Sequence, residues 1–224
     1  MSYIINIDTA TENAFVNIAK DGQLIQVFQN DDQKDHGAFL QPVITKLLQS
    51  AGIDFSNIAA IAVTAGPGSY TGLRVGMASA KGLSYALNKP LITISTLALW
   101  ASSAIRQTEQ PDKFVFCPMI DARRMEVFTA VYDHNLNNII QPAALILNEL
   151  SFAELLNKQP VIFIGNGIIK WGKICSHSNA SFIQSFSIPA ALSELSYSAF
   201  LNREFTDLAY SEPYYLKEFQ GNIL

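Results

Sequence analysis

Three groups of residues in this sequence have types and spacings that could do chemistry. The first is the stretch Ala65-Gly66-Pro67-Gly68-Ser69-Tyr70-Thr71-Gly72-Leu73-Arg74-Val75-Gly76. A glycine turn feeding a helix gathers free backbone N–H groups at the positive end of the helix dipole, so Gly66, Gly68, Ser69 and Thr71 make a candidate anion cradle. The stretch has neither the Gly-Lys-Ser/Thr of a Walker loop nor a Gly-x-Gly-x-x-Gly pattern, and a purely structural turn accounts for it equally well. The second is Arg74, in the first turn of the helix that follows. The dipole disfavours a cation there, so either an acceptor lies nearby or the side chain simply faces solvent. The third is Asp121, Arg123, Arg124 and Glu126, crowded into one hairpin. Arginine grips a carboxylate or phosphate through two parallel hydrogen bonds, although an ordinary charged turn is the favoured reading. No Ser or Cys nucleophile with a plausible base accompanies these groups, and His134 and His177 fall in weakly patterned loops.

The elements that must position these groups follow from periodicity. Tyr3 to Asp8, Asn13 to Lys20 and Gln23 to Gln29 read as a strand meander, with Asp21-Gly22 as a tight turn. Asn30 to Asp35 reads as a polar linker. Phe39, Val43, Ile44, Leu47 and Leu48 then recur at helical spacing until Gly52. Ile58 to Thr64 is a short apolar strand. Beyond the glycine turn, Ser69 or Thr71 offers a cap for a helix running to Asn88. Leu91 to Ser95 is a strand, and a helix capped by Ser95 or Thr96 runs towards Arg106.

A polar stretch at 107–113 marks a lobe boundary, giving lobes 1–106 and 107–224. In the second, Phe114 to Asp121, Glu126 to Asp133 and Ala143 to Leu147 read as strands, Ser151 to Asn157 as helix, Val161 to Ile164 as a buried strand before Gly165-Asn166-Gly167, and Ala190 to Arg203 as a final helix. A meander followed by helix and strand in each lobe predicts a duplicated α/β fold.

Three interior glycines, Gly72, Gly76 and Gly82, each cost the second long helix roughly 1 kcal/mol relative to alanine. Gly72, Gly76 and Ala80 recur every four residues and form a ridge of small residues that admits a close neighbour. That neighbour is either the chain's own sheet and first helix or a partner subunit.

Composition sets the bounds. The 224 residues suffice for a large core, and 49% hydrophobic against 15% charged residues argues against disorder. The net charge of −4 leaves no basic surface for holding nucleic acid directly. No apolar stretch is long enough to span a bilayer, and Met1 to Asp8 lacks the features of a signal peptide, so a cytoplasmic location is expected. Cys117 and Cys175 fit reduced core cysteines.

On these residues the chain resembles the bacterial TsaB (YeaZ) family, within the actin, sugar-kinase and Hsp70-like (ASKHA) superfamily with its ribonuclease H-like lobes. The resemblance rests on Ile7-Asp8-Thr9-Ala10-Thr11, His36, Gly66 to Gly76, Ala80-Lys81-Gly82-Leu83, Ile94-Ser95-Thr96-Leu97, Ile120-Asp121-Ala122-Arg123 with Glu126-Val127, and Glu212-Pro213-Tyr214-Tyr215-Leu216. It is dense to about residue 132 and scattered beyond.

The resemblance implies a non-catalytic subunit that docks and activates a TsaD-like transferase in tRNA N6-threonylcarbamoyladenosine formation beside the anticodon, with a TsaE-like ATPase joining them. It implies no cofactor of its own, ATP and metal on the partner subunits, only indirect contact with tRNA, and a homodimer as an option when the chain is alone. The helices 36–50 and 71–88 would form the docking surface, with His36, Leu40, Ile44, Gly72, Arg74, Gly76, Ala80 and Leu83 in it. Asp8 and Thr9 stand where the superfamily places an acid near a nucleotide's metal, but Thr9-Ala10-Thr11-Glu12 lacks the glycine that closes on phosphate in its kinases. The catalytic paralogue holds metal through two histidines four residues apart. Here Leu40 takes the second position, so His36 cannot form that pair. The alternative function is a stand-alone nucleotide-dependent phosphotransferase or ATPase using Asp8 and the glycine turn.

Overall fold

Alternating apolar residues lay down the first sheet, and the two faces of its strands can be followed residue by residue. The structure, a computed structural model, describes residues 1–30, 36–184 and 187–217. The linker expected over Asn30 to Asp35 therefore lies, from residue 31 on, outside the described residues. Strand β1 (Tyr3–Asp8) pairs antiparallel with β2 (Ala14–Lys20), which pairs antiparallel with β3 (Gln23–Asn30). The turn between β2 and β3 places Asp21 at φ 49° and Gly22 at φ 82°, the left-handed pair that a tight hairpin requires. On its other side β1 pairs in parallel with β4 (Ile58–Gly66), and β4 in parallel with β5 (Leu91–Ser95), giving the order β3-β2-β1-β4-β5.

Helices α1 (His36–Ala51) and α2 (Tyr70–Leu87) cover one face of this sheet. Leu40, Ile44, Leu47 and Leu48 of α1 and Met77 and Ala80 of α2 share one core with Ile5, Ile7, Val16, Ile18, Ile61 and Val63. Helix α6 (Ile188–Leu201) packs on the opposite face, where Ala199 meets Ile4, Ala60, Ala62 and Ile92. Two asparagines interrupt that apolar face. Asn6 and Asn17 are cross-strand partners, Asn6 Nδ2 donates to Asn17 Oδ1 at 2.8 Å, and Asn17 Nδ2 donates to the Pro189 carbonyl at 3.0 Å.

The second sheet repeats the plan. Strands β6 (Val115–Asp121), β7 (Glu126–Tyr132) and β8 (Asn138–Ile146) form an antiparallel meander, and β9 (Val161–Ile164) and β10 (Ala180–Ile183) add in parallel, in the order β10-β9-β6-β7-β8. This is the arrangement of the first sheet over again, so the duplicated α/β fold expected from the sequence is what forms. The short helices α4 (Ala153–Leu156) and α5 (Ile168–Trp171) supply Leu155, Leu156, Ile168 and Trp171 to a core with Val127, Val131 and Phe163.

The compact units differ from the lobes read off the sequence. One unit comprises Met1–Thr96 with Pro189–Tyr215, and the other Leu97–Ile188 with Leu216–Leu224. Helix α3 (Thr96–Gln107), assigned to the first lobe by the polar stretch behind it, belongs to the second unit beyond its first residue. Its Trp100 ring lies where a side chain on Gly165 would stand. Helix α6 belongs to the first unit through its apolar contacts. Among the described residues, no helix is long and apolar enough to cross a membrane.

Candidate functional site

Strand β4 runs straight into the glycine turn, and the turn packs against the end of β1. Asp8, 1% exposed, accepts at Oδ1 from the Ala10 N–H at 2.9 Å and from the Thr64 hydroxyl at 2.7 Å. These bonds tie the Asp8 carboxylate to its own turn and to the neighbouring strand. Thr9, fully buried, donates its hydroxyl to the Gly72 carbonyl at 2.7 Å. The Ser69 N–H donates to the Ala10 carbonyl at 2.7 Å, and the Ser69 hydroxyl caps α2 by accepting from the Gly72 N–H at 3.3 Å. Of the two expected caps it is Ser69 that serves, and Thr71 is exposed.

The glycines are small for the same reason. A Cβ on Gly68 would strike the Ala10 carbonyl oxygen, one on Gly72 the Thr9 carbonyl oxygen, and one on Gly76 the Thr9 hydroxyl. Gly66 has φ +116°, and the Tyr214 carbonyl lies over it while the Tyr214 N–H donates to the Ala65 carbonyl at 2.7 Å. The turn is thus lined by the chain's own carbonyl oxygens. Carbonyl oxygens repel phosphate, and the Ser69 and Gly72 N–H groups that would bind it already donate within the chain.

This corrects the expected docking surface. Gly72, Gly76 and Ala80 are buried against the chain's own β1 end and sheet, and Leu40 and Ile44 are 0% and 1% exposed in the same core. Leu83 is only partly buried against it. His36 is the first residue of α1, and its side chain lies outside the described residues. Of the two readings of the ridge, packing within the chain is the one realised.

A different line of small residues faces outward on α2. Ala78, Gly82 and Ala86, again four apart, are exposed, and among the described residues nothing lies within 4 Å of a Cβ added at Gly82. Tyr85 beside them is 81% exposed. The signal that separates the two rows was present in the sequence: Leu73 and Met77 mark the inward side, Arg74 and Tyr85 the outward side.

Arg74 is exposed and also has an acceptor. Its Nε donates to the Tyr215 hydroxyl at 3.1 Å, and its guanidinium lies 4.2 Å from the centre of the Tyr70 ring. Donating to the Tyr215 hydroxyl raises its pKa above the ordinary arginine value. The sequence places Tyr70 and Tyr215 in two of the resembling motifs but does not join them to Arg74, because nothing local brings residue 215 to the start of α2. Lys81 holds the same C-terminal segment, donating to the Ala209 and Ser211 carbonyls at 3.2 and 2.9 Å.

In the second unit, Gly165-Asn166-Gly167 is the plain turn into α5 expected of it. Gly165 has φ +106°, and Asn166 Oδ1 accepts from the Asp121 N–H at 2.8 Å. Cys117 and Cys175 are both free thiols, and burial pushes Cys117 up to about 12 although a hydrogen bond to Thr129 works the other way.

The family model described as "TsaD: tRNA N6-adenosine threonylcarbamoyltransferase" matches residues 27–212. The "tRNA threonylcarbamoyladenosine biosynthesis protein TsaB" of Escherichia coli is 35% identical over 136 residues, covering 61% of this chain and 57% of that protein. Its Bacillus subtilis namesake is 27% identical over 168 residues, covering 73% of this chain and 70% of that protein. The matched part thus spans less than two thirds of the Escherichia coli relative. Among solved structures, YeaZ from Pseudomonas aeruginosa superposes with a TM-score of 0.78 at 26% identity, covering 96% of this chain and all of that one.

Proposed function

This chain belongs to the family of TsaD, tRNA N6-adenosine threonylcarbamoyltransferase, and from that premise we propose that it is a non-catalytic subunit in the formation of N6-threonylcarbamoyladenosine on tRNA. It docks on a TsaD-like transferase and activates it, with a TsaE-like ATPase completing the assembly. ATP and metal are held by those partners, and the tRNA contacts this chain only indirectly. The relatives' name, TsaB, a tRNA threonylcarbamoyladenosine biosynthesis protein, supports the pathway.

One observation carries the non-catalytic reading. The glycine turn, the place where a nucleotide-dependent relative would hold phosphate, is closed by the Thr9, Ala10 and Tyr214 carbonyl oxygens. The same observation weighs against a stand-alone phosphotransferase or ATPase built on Asp8 and Gly66 to Ser69.

Docking uses the outward face of α2, with Thr71, Arg74, Ala78, Gly82, Tyr85 and Ala86 in it. Gly82 costs the helix about 1 kcal/mol and packs against nothing among the described residues, which a closely approaching partner helix explains. Co-purification of Gly82→Leu and Tyr85→Ala with the organism's TsaD-like protein tests this. Folded variants that no longer pair support the assignment; pairing at undiminished strength moves the docking face elsewhere. When the chain is alone, the same face makes a homodimer, which light scattering across concentrations detects.

A further inference from the structure

The hairpin between β6 and β7 carries two arginines that the role above leaves unused. Arg123 and Arg124 are consecutive residues with φ 69° and 47°, both in the left-handed region where Asn and Gly are the unstrained choices. Both are exposed, and neither guanidinium has a hydrogen-bond or ion-pair partner among the described residues.

The two acids beside them bond to lysines and, for Asp121 Oδ1, to the Arg123 backbone N–H at 2.6 Å, and to neither guanidinium. Lys170 Nζ pairs with Asp121 Oδ1 at 2.9 Å and also donates to the Arg124 and Glu126 carbonyls at 2.8 and 2.9 Å. Lys217 Nζ pairs with the Glu126 carboxylate at 3.0 Å. Two lysines thus neutralise the hairpin's own carboxylates and pin its backbone, so the arginines project from a fixed tip with no counter-charge among the described residues. The sequence accepts strained arginines where Asn-Gly would serve the turn better, which points to the side chains themselves.

We propose that the Arg123–Arg124 tip, in the second unit, is a docking point for an acidic segment of a partner protein. The neighbours favour protein over RNA. Met125, Ile146 and Ile169 flank the tip and are 38%, 68% and 66% exposed, aliphatic groups of the kind that rim protein contacts rather than the aromatic platforms that stack bases. The net charge of −4 also leaves the tip without the wider basic field that RNA binding draws on.

The test is fluorescence anisotropy with two labelled probes, the acidic peptide acetyl-(Glu-Glu-Leu)4-amide and a twelve-nucleotide uridine RNA, against the full chain and the double variant Arg123→Asn, Arg124→Gly. The peptide binds the full chain, and the double variant weakens it by about tenfold or more. The melting temperature of the variant stays level or rises, because Asn and Gly relieve the left-handed pair. RNA binding in place of peptide, no binding of either probe, equal affinity of the variant, or a lower melting temperature in the variant would each overturn the proposal. The last outcome would mean that the arginines serve the turn. None of these outcomes depends on pairing with the transferase, so the two readings stand or fall separately.

Discussion

The Thr9 hydroxyl donates a 2.7 Å hydrogen bond to the Gly72 carbonyl, and the Thr9 carbonyl oxygen occupies the place where a Gly72 side chain would be. One residue at the end of β1 therefore fixes the first turn of α2 twice, once by bonding and once by exclusion. The glycine-rich helix start is shaped by this contact with its own chain.

Gly76→Leu is accordingly a folding mutation. Its side chain would have to displace Thr9 from between β1 and α2, and overpacking of this kind against backbone costs about 3 kcal/mol or more. Urea unfolding monitored by circular dichroism should find a midpoint well below that of the natural chain. An unchanged midpoint for Gly76→Leu would refute the packing described here.

Gly82→Ala should do the reverse. The site is exposed and open, so alanine stabilises α2 by about 1 kcal/mol. A higher urea midpoint with an unchanged slope checks this. A loss of stability would mean that Gly82 has a packing role within the chain.

Asp8→Ala removes the acceptor of the Thr64 hydroxyl and the Ala10 N–H, both buried. Leaving such groups unpaired costs about 1–3 kcal/mol each. The account predicts a lower melting temperature for the isolated chain. An unchanged melting temperature would free Asp8 for a role other than holding the turn.

Cys117 sets an alkaline limit on stability. Its thiol, ordinarily near 9.0, is pushed by burial to about 12 in the folded chain, so the folded state holds this proton more tightly than the unfolded state. The associated stability is complete below about pH 9 and is lost as pH rises towards 12. The difference in melting temperature between the natural chain and Cys117→Ala should stay constant up to pH 9 and change above it, the natural chain falling faster. Parallel curves would contradict the burial described.

Much of the fold was legible because burial writes a period into the sequence. β1 and β9 fall at the residues read from alternation or apolar runs, and the glycine turn and Ser69 cap follow from residue type. What failed did so for tertiary reasons. β10, Ala180–Ile183, is short and half exposed, and it exists because β9 offers a parallel edge. β8 starts at Asn138, five residues before Ala143, since an exposed edge strand shows no burial pattern. At the candidate site, the spacing of Gly72, Gly76 and Ala80 was read correctly as a demand for a close neighbour. Only the structure identifies that neighbour as Thr9, and the row at Ala78, Gly82 and Ala86 as the exposed one. Tyr215 meets Arg74 across 141 positions of sequence, a distance no local pattern spans.

The most direct test of the central claim is isothermal titration of ATP with Mg²⁺ into the purified chain, alone and then mixed with the organism's TsaD-like protein. The account predicts no heat of binding to the chain alone and binding in the mixture, with the nucleotide on the partner or at the joint. Tight binding to the lone chain, lost in Asp8→Ala, would contradict it and make this chain a nucleotide-dependent enzyme in its own right.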